Sequence, residues 1–337
     1  MQCANHLKQI GIGIHNFHDT RLGLPPNVIY SYGSDSRMTL WGLIYPFVEQ
    51  IALYDQIITT SGNSDLGVIM NDWWRGLSEE DHKAFGSVPI YHCPSRRSGA
   101  AFTPDKFPSQ DETWFNYNLG PQGDYAFILS NKSPQFYVNG LPQFGDAVDR
   151  MIGPFRPSLL EPDWSGWKPR DTFAWWQDGT SNQIIIGEKH IPSDFVGRCD
   201  PYADYLGIGT EEDRATTGDC SYLNCGYWRS VSSGRPIIIQ YSGASTGGDG
   251  ETGPTLTEGD PNDPIVNLIA KKASDYYPGG GAWGGAPLEQ GNFGSAHPGI
   301  SQFLLGDGAV YPFPVTISRI PYARWAAVND GATVTLP

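Results

Sequence analysis

A chain of 337 residues is long enough for one large domain or two small ones. Its 41 glycines and 27 prolines exclude a helix-rich fold and predict many turns, short strands and long ordered loops, while 13% aromatic residues exclude wholesale disorder. A net charge of −14 without a basic stripe argues against nucleic acid, because neutralising phosphates takes clustered Lys and Arg; it suits a secreted protein or one that binds cations.

The chain opens inside a helical pattern at Met1-Gln2-Cys3, as one trimmed upstream would. From residue 2 to 18, Cys3, Leu7, Ile10, Ile14 and Phe17 recur at steps of four and three, which predicts one helix with a single apolar stripe. Gly11 and Gly13 weaken that helix or let it approach another backbone closely. A second helix is expected over 41–57, with Pro46 near its start or at a break. The span 60–160 reads as loops with short strands. Buried strands are expected at 183–186 and 236–241, and the Gly-, Asp- and Pro-rich stretch 243–264 as a loop. Residues 301–313 predict a hairpin across Asp307-Gly308, with Phe303 and Leu305 facing the first helix, and 318–328 a short terminal helix. No run of about 18 apolar residues and no signal peptide is found.

Five cysteines, Cys3, Cys93, Cys199, Cys220 and Cys225, make an odd count. No CxxC spacing occurs, so a zinc site is not expected. One disulfide among Cys199, Cys220 and Cys225 is expected in an oxidising compartment. Cys3 and Cys93 could also pair if the first helix crosses the loop that carries Cys93.

Four segments, in order, carry a resemblance: Cys3-Ala-Asn-His-Leu-Lys-Gln-Ile-Gly running on to His15-Asn16-Phe17-His18-Asp19 and Leu24-Pro25-Pro26; Cys93-Pro94-Ser95; Asp178-Gly179-Thr180-Ser181-Asn182 with Gly187-Glu188; and Phe293-Gly294-Ser295-Ala296-His297-Pro298-Gly299, nine residues before Asp307-Gly308. Together they resemble the planctomycete prepilin-like family of unknown function known for a His-x9-Asp-Gly signature. The resemblance implies an α+β, type IV pilin-like fold: a long N-terminal helix packed on an antiparallel sheet, with large loop-rich insertions. It also implies an extracellular or cell-surface location, like subunits as partners, and a membrane contact made only through a hydrophobic helix upstream of this sequence. The expected organisation is a single ectodomain over 1–337, with 1–60 its helical part and 190–290 a member-specific insertion.

The motifs each have a plain reading beside a chemical one. His297 and Asp307 could pair as ligands or as acid and base, but Asp307-Gly308 is already explained as turn chemistry. His15 and His18 lie one turn apart and could share a face, yet two histidines make a poor metal site. Gly243-Ala-Ser245-Thr-Gly247 matches a nucleophile elbow, but a Pro-containing acidic loop follows where a helix is needed. Asp249, Glu251, Glu258, Asp260 and Asp263 could hold calcium, the one cofactor in view; the spacing fits no EF-hand, and a solvated acidic loop explains it equally. Among the tryptophans, Trp73, Trp74, Trp164, Trp167, Trp175 and Trp176 could stack sugar rings or pack in a core. A non-catalytic role in surface assembly or in binding a ligand, a polysaccharide foremost, is therefore expected. The alternative is an extracellular glycoside hydrolase drawing two carboxylates about 5–9.5 Å apart from Asp163, Asp171, Asp178 and Glu188.

Overall fold

The computed structural model describes residues 2–29, 38–60, 70–103, 119–130, 151–161, 166–193, 196–197, 219–223, 234–240, 265–266, 268–272, 292–331 and 334. Helix α1 (Gln2–Arg21) buries Cys3, Leu7, Ile10, Ile14 and Phe17, the stripe its four-three spacing predicts. Gly13 lies against the next turn: a Cβ there would stand 2.6 Å from Val48 Cγ1. The expected 41–57 helix is broken. Helix α2 (Leu40–Leu43) gives way to a 3-10 turn over Tyr45–Val48, with Pro46 in its first turn, and Glu49 takes a left-handed φ of 64° before α3 (Ile51–Thr60) begins. Two short helices then occupy a stretch expected to be loops and strands, α4 (Met70–Arg75) and α5 (Glu79–Phe85).

Among the described residues the strands are β1 (Tyr125–Ser130), β2 (Leu159–Leu160), β3 (Trp167–Lys168), β4 (Ile184–Glu188), β5 (Gly234–Gln240), β6 (Ile265–Val266), β7 (Ile300–Leu305) and β8 (Val310–Pro314), and a helix, α6 (Arg319–Ala326), follows them. Six of them form one sheet in the order β6-β5-β1-β4-β7-β8, while β2 and β3 pair separately. β1, β4, β7 and β8 are antiparallel neighbours; β5 joins β1 in parallel. The fold is thus α+β, an N-terminal helix on a largely antiparallel sheet. Among the described residues, no helix is long and apolar enough to cross a membrane.

Both sheet faces are buried, and the pleat sorts side chains between them. Tyr125, Phe127 and Leu129 join the α1 side; Ala126 and Ile128 join the α6 side. The predicted hairpin is present, with Phe303 opposite Tyr311 and Gly308 at φ +86°. Its facing is the reverse of that expected. Leu304 packs in the α1 core, whereas Phe303 and Leu305 lie with Phe313, Tyr322 and Trp325 on the α6 side. The stretch 190–290, expected as an insertion, builds part of this framework. It supplies β5 and β6, and it sends Cys220, Tyr222 and Leu223 into the α1 core, where Tyr222 and Tyr45 hydroxyls meet at 2.8 Å. Cys220 is disulfide-bonded, as expected for that stretch, while Cys3 and Cys93 are free thiols.

Candidate functional site

Four side chains from four distant segments meet under the first turn of α1. The helical stripe turns Cys3 inward. A 3-10 turn over Pro89–Tyr91 delivers Cys93, whose backbone N–H donates to Asp124 Oδ2 at 2.7 Å. Asp124 is itself held by Arg96 at 3.1 Å and Arg97 at 2.9 Å. Burial pushes the Asp124 carboxyl up, but the two guanidiniums outweigh it and hold the group below the usual carboxylate range. Glu188 ends β4. The preceding Gly187 packs on Phe303, so the pleat turns Glu188 to the α1 side. Its Oε2 accepts from the Gln302 backbone N–H at 2.8 Å, which leaves Oε1 facing the two sulfurs. His297 stands in the loop before β7, its backbone N–H donating to Ser295 Oγ at 3.0 Å.

The ligand-type atoms of Cys3, Cys93, Glu188 and His297 all lie within 4.8 Å of one another. Cys93 Sγ is 3.7 Å from Glu188 Oε1 and 3.9 Å from His297 Nε2, and that nitrogen is 3.4 Å from Glu188 Oε1. Cys3, Cys93 and Glu188 are buried; the His297 side chain is 24% exposed and forms the open side. A hydrogen bond from Cys93 holds the Cys3 thiol at about 5 despite burial, and His297 adds to this. The same contact pushes the Cys93 thiol far up, with burial adding. Burial also raises the Glu188 carboxyl.

Two thiols, an imidazole and a carboxyl can hold a metal, join as a disulfide, or act as nucleophile, base and orienter. The last needs the carboxylate on one ring nitrogen and the nucleophile on the other. Here Glu188 and Cys93 both approach Nε2, so the triad geometry is not met.

Of the other expected site residues, most are in structural use. Trp73, Trp74 and Trp176 are core side chains and present no face to a sugar, a correction that follows from the aromatic packing around Phe85, Phe155 and Phe173. Trp167 and Trp175 are part-buried; the Arg156 guanidinium covers the Trp175 ring at 3.7 Å. Asp171 is paired with Arg156, with Oδ2 2.9 Å from Nε. Asp178 accepts from the backbone N–H groups of Asp330 and Gly331 at 2.9 and 3.0 Å. His297 and Asp307 do not form a pair: they lie beyond opposite ends of β7, whose six residues span about 20 Å. Asp307 accepts from Ala309 N–H at 2.9 Å in the turn that contains Gly308. His15 and His18 do share a face, both against the Phe173 ring. Asp163, Trp164 and the calcium candidates Asp249, Glu251, Glu258, Asp260 and Asp263 lie outside the described residues, as does Ser245.

Sequence reasoning named His297 and Glu188 but for other partners, and gave Cys3 and Cys93 only a disulfide. One signal pointed to the cluster: each of the four segments that carry the family likeness supplies one of its members. No curated protein and no solved structure matches the chain. A family match does extend over residues 1–319, nearly the whole chain, and the protein belongs to the family described as "Protein of unknown function (DUF1559)".

Proposed function

We propose that this chain is the ectodomain of a non-catalytic, pilin-like surface protein, in which α1 continues an upstream hydrophobic helix and the body packs with like subunits. One observation carries the reading. The segments that carry the family likeness build the seat that fixes α1 on the sheet, not an open cleft. Cys220 supports an extracellular setting, because disulfides persist in oxidising compartments. The glycosidase alternative loses ground, since Glu188 is enclosed beside two thiols while Asp171 and Asp178 are committed to Arg156 and to a turn. Glycan capture is also weakened by the burial of Trp73, Trp74 and Trp176.

Protease shaving of intact cells that make the full gene product tests the reading. The expected result is cleavage of this domain without lysis. Protection from protease until lysis would overturn the surface location, and glycan turnover abolished in Glu188→Gln would overturn the non-catalytic role.

A further inference from the structure

We propose that Cys3, Cys93, Glu188 and His297 are the four ligands of a structural zinc ion that staples α1 to the sheet. The distances favour coordination over hydrogen bonding. With metal–sulfur bonds of about 2.3 Å and metal–nitrogen or –oxygen bonds of about 2.0–2.1 Å, a tetrahedron has edges of about 3.4 Å between N and O and about 3.6 Å between S and either. The observed edges are 3.4 Å from His297 Nε2 to Glu188 Oε1, 3.7 Å from Cys93 Sγ to Glu188 Oε1 and 3.9 Å from Cys93 Sγ to His297 Nε2. A neutral N–H···O bond is nearer 2.9 Å. The sharing of His297 Nε2 by Glu188 and Cys93, which fails as a triad, is what convergence on one cation produces.

The surrounding contacts suit a zinc centre. Outer-shell hydrogen bonds orient metal ligands. Gln302 N–H holds the outer oxygen of Glu188, so Oε1 serves as a single donor. Asp124 fixes the Cys93 backbone. Two thiolates and one carboxylate leave a dipositive ion one negative charge in excess. Arg96, although paired with Asp124, lies near enough to act on Glu188 electrostatically. Its side chain is 6% exposed, and it binds the carbonyl oxygens of Lys189 and Gly294 on either side of the site. Two sulfurs with one nitrogen and one oxygen select a thiophilic ion over calcium or magnesium. Four protein donors, three of them buried, make a closed site of the structural kind, entered on the His297 side.

Cobalt(II) titration of the reduced full chain, followed by zinc competition and elemental analysis, tests the assignment. One cobalt per chain is expected, with a sulfur-to-cobalt charge-transfer band and the intense visible bands of a tetrahedral ion, all bleached by one equivalent of zinc. His297→Ala should remain folded by circular dichroism and lose stoichiometric uptake; Cys93→Ser should weaken the charge-transfer band. The proposal is overturned if the reduced chain takes up no metal, or if both variants leave the cobalt spectrum unchanged. It is also overturned if the chain is isolated as a Cys3–Cys93 disulfide and still binds no metal once reduced. Should His297→Ala unfold, the wild-type spectrum decides alone, because a spectrum without sulfur charge transfer excludes this ligand set. Where the protein sits in the cell does not enter these outcomes, so they are separable from the shaving experiment.

Discussion

Position 187 shows how one residue sets the geometry around the cluster. A Cβ on Gly187 would fall 2.5 Å from Phe303 Cε1 and 2.7 Å from Phe293 Cδ1, two rings whose centroids are 5.2 Å apart. Only a bare backbone leaves room for the Phe303 ring there while Glu188 emerges on the other face. Overpacking a filled core costs about 1–3 kcal/mol, so Gly187→Ala should lower stability by that amount in urea denaturation. An unchanged midpoint would mean that the Phe303 ring moves aside freely. The pair Gly187-Glu188 is visible in the sequence as part of a motif, but its meaning is not. Residues 3, 93, 188 and 297 share no spacing rule, since their proximity is created by the sheet and not by local chain geometry. Spacing rules for zinc look for short ligand pairs and pass over a site built from four separate segments.

Elements were legible where local periodicity decides them. The α1 stripe and the β7–β8 hairpin follow from spacing and from Asp-Gly turn chemistry. Within α1, Ile14 is fully buried and Ile12 is 45% exposed. Ile14→Ala should cost about 2–5 kcal/mol, and Ile12→Ala should stay within about 0.5 kcal/mol, read from the same denaturation curves. The face of β7 was not legible, because both of its faces are buried and its two polar residues, Ser301 and Gln302, are adjacent and so point to opposite faces. Helix α5 was missed although its start is written in Ser78-Glu79-Glu80-Asp81. Ser78 Oγ accepts from Asp81 N–H, and Asp81 accepts in return from Ser78 N–H at 3.2 Å, a capping box. Ser78→Ala should cost about 1 kcal/mol. The Ser78 hydroxyl, followed by Gln56, holds the Asp81 carboxyl below its ordinary value. Its contribution is therefore present above the unfolded pKa and fades as pH falls through the folded one. The gap between wild type and Ser78→Ala should narrow on acidification; a gap that widens would contradict the capping geometry.

At the scale of the whole molecule, the chain is tied by a few long-range knots whose members lie far apart in sequence. One is ionic: Asp219 binds Arg97 at 2.8 Å, Arg97 and Arg96 bind Asp124, and Asp124 holds the Cys93 backbone. It anchors the 219–223 segment beside the loop that follows Cys93. No family motif in 190–290 marks this link, and short strands and core-filling turns carry little periodicity of their own. Removing one partner of a buried network costs about 3–5 kcal/mol, since the remaining charges stay buried, so Asp124→Asn should be among the most destabilising single changes. The second knot is the cluster that joins residues 3, 93, 188 and 297. A ligand that binds only the folded state stabilises it by about 2.7 kcal/mol at a hundredfold excess over its Kd, and for a structural metal that binding energy is folding energy. Zinc added to the reduced chain should thus raise its melting temperature, and a chelator should reverse the rise. Hydrogen exchange locates the effect. On chelation, protection should fall in the first turn of α1, around Cys93–Arg97 and around Ser295–Gly299, because each is held at the cluster by one side chain. The β7–β8 turn should keep its protection, since its bonds, Leu305 N–H to the Ala309 carbonyl at 2.8 Å and Gly308 N–H to the Leu305 carbonyl at 3.0 Å, lie at the far end of the strand. Uniform loss across the sheet would instead mark global unfolding, and no change in α1 would show that the apolar stripe alone holds the helix.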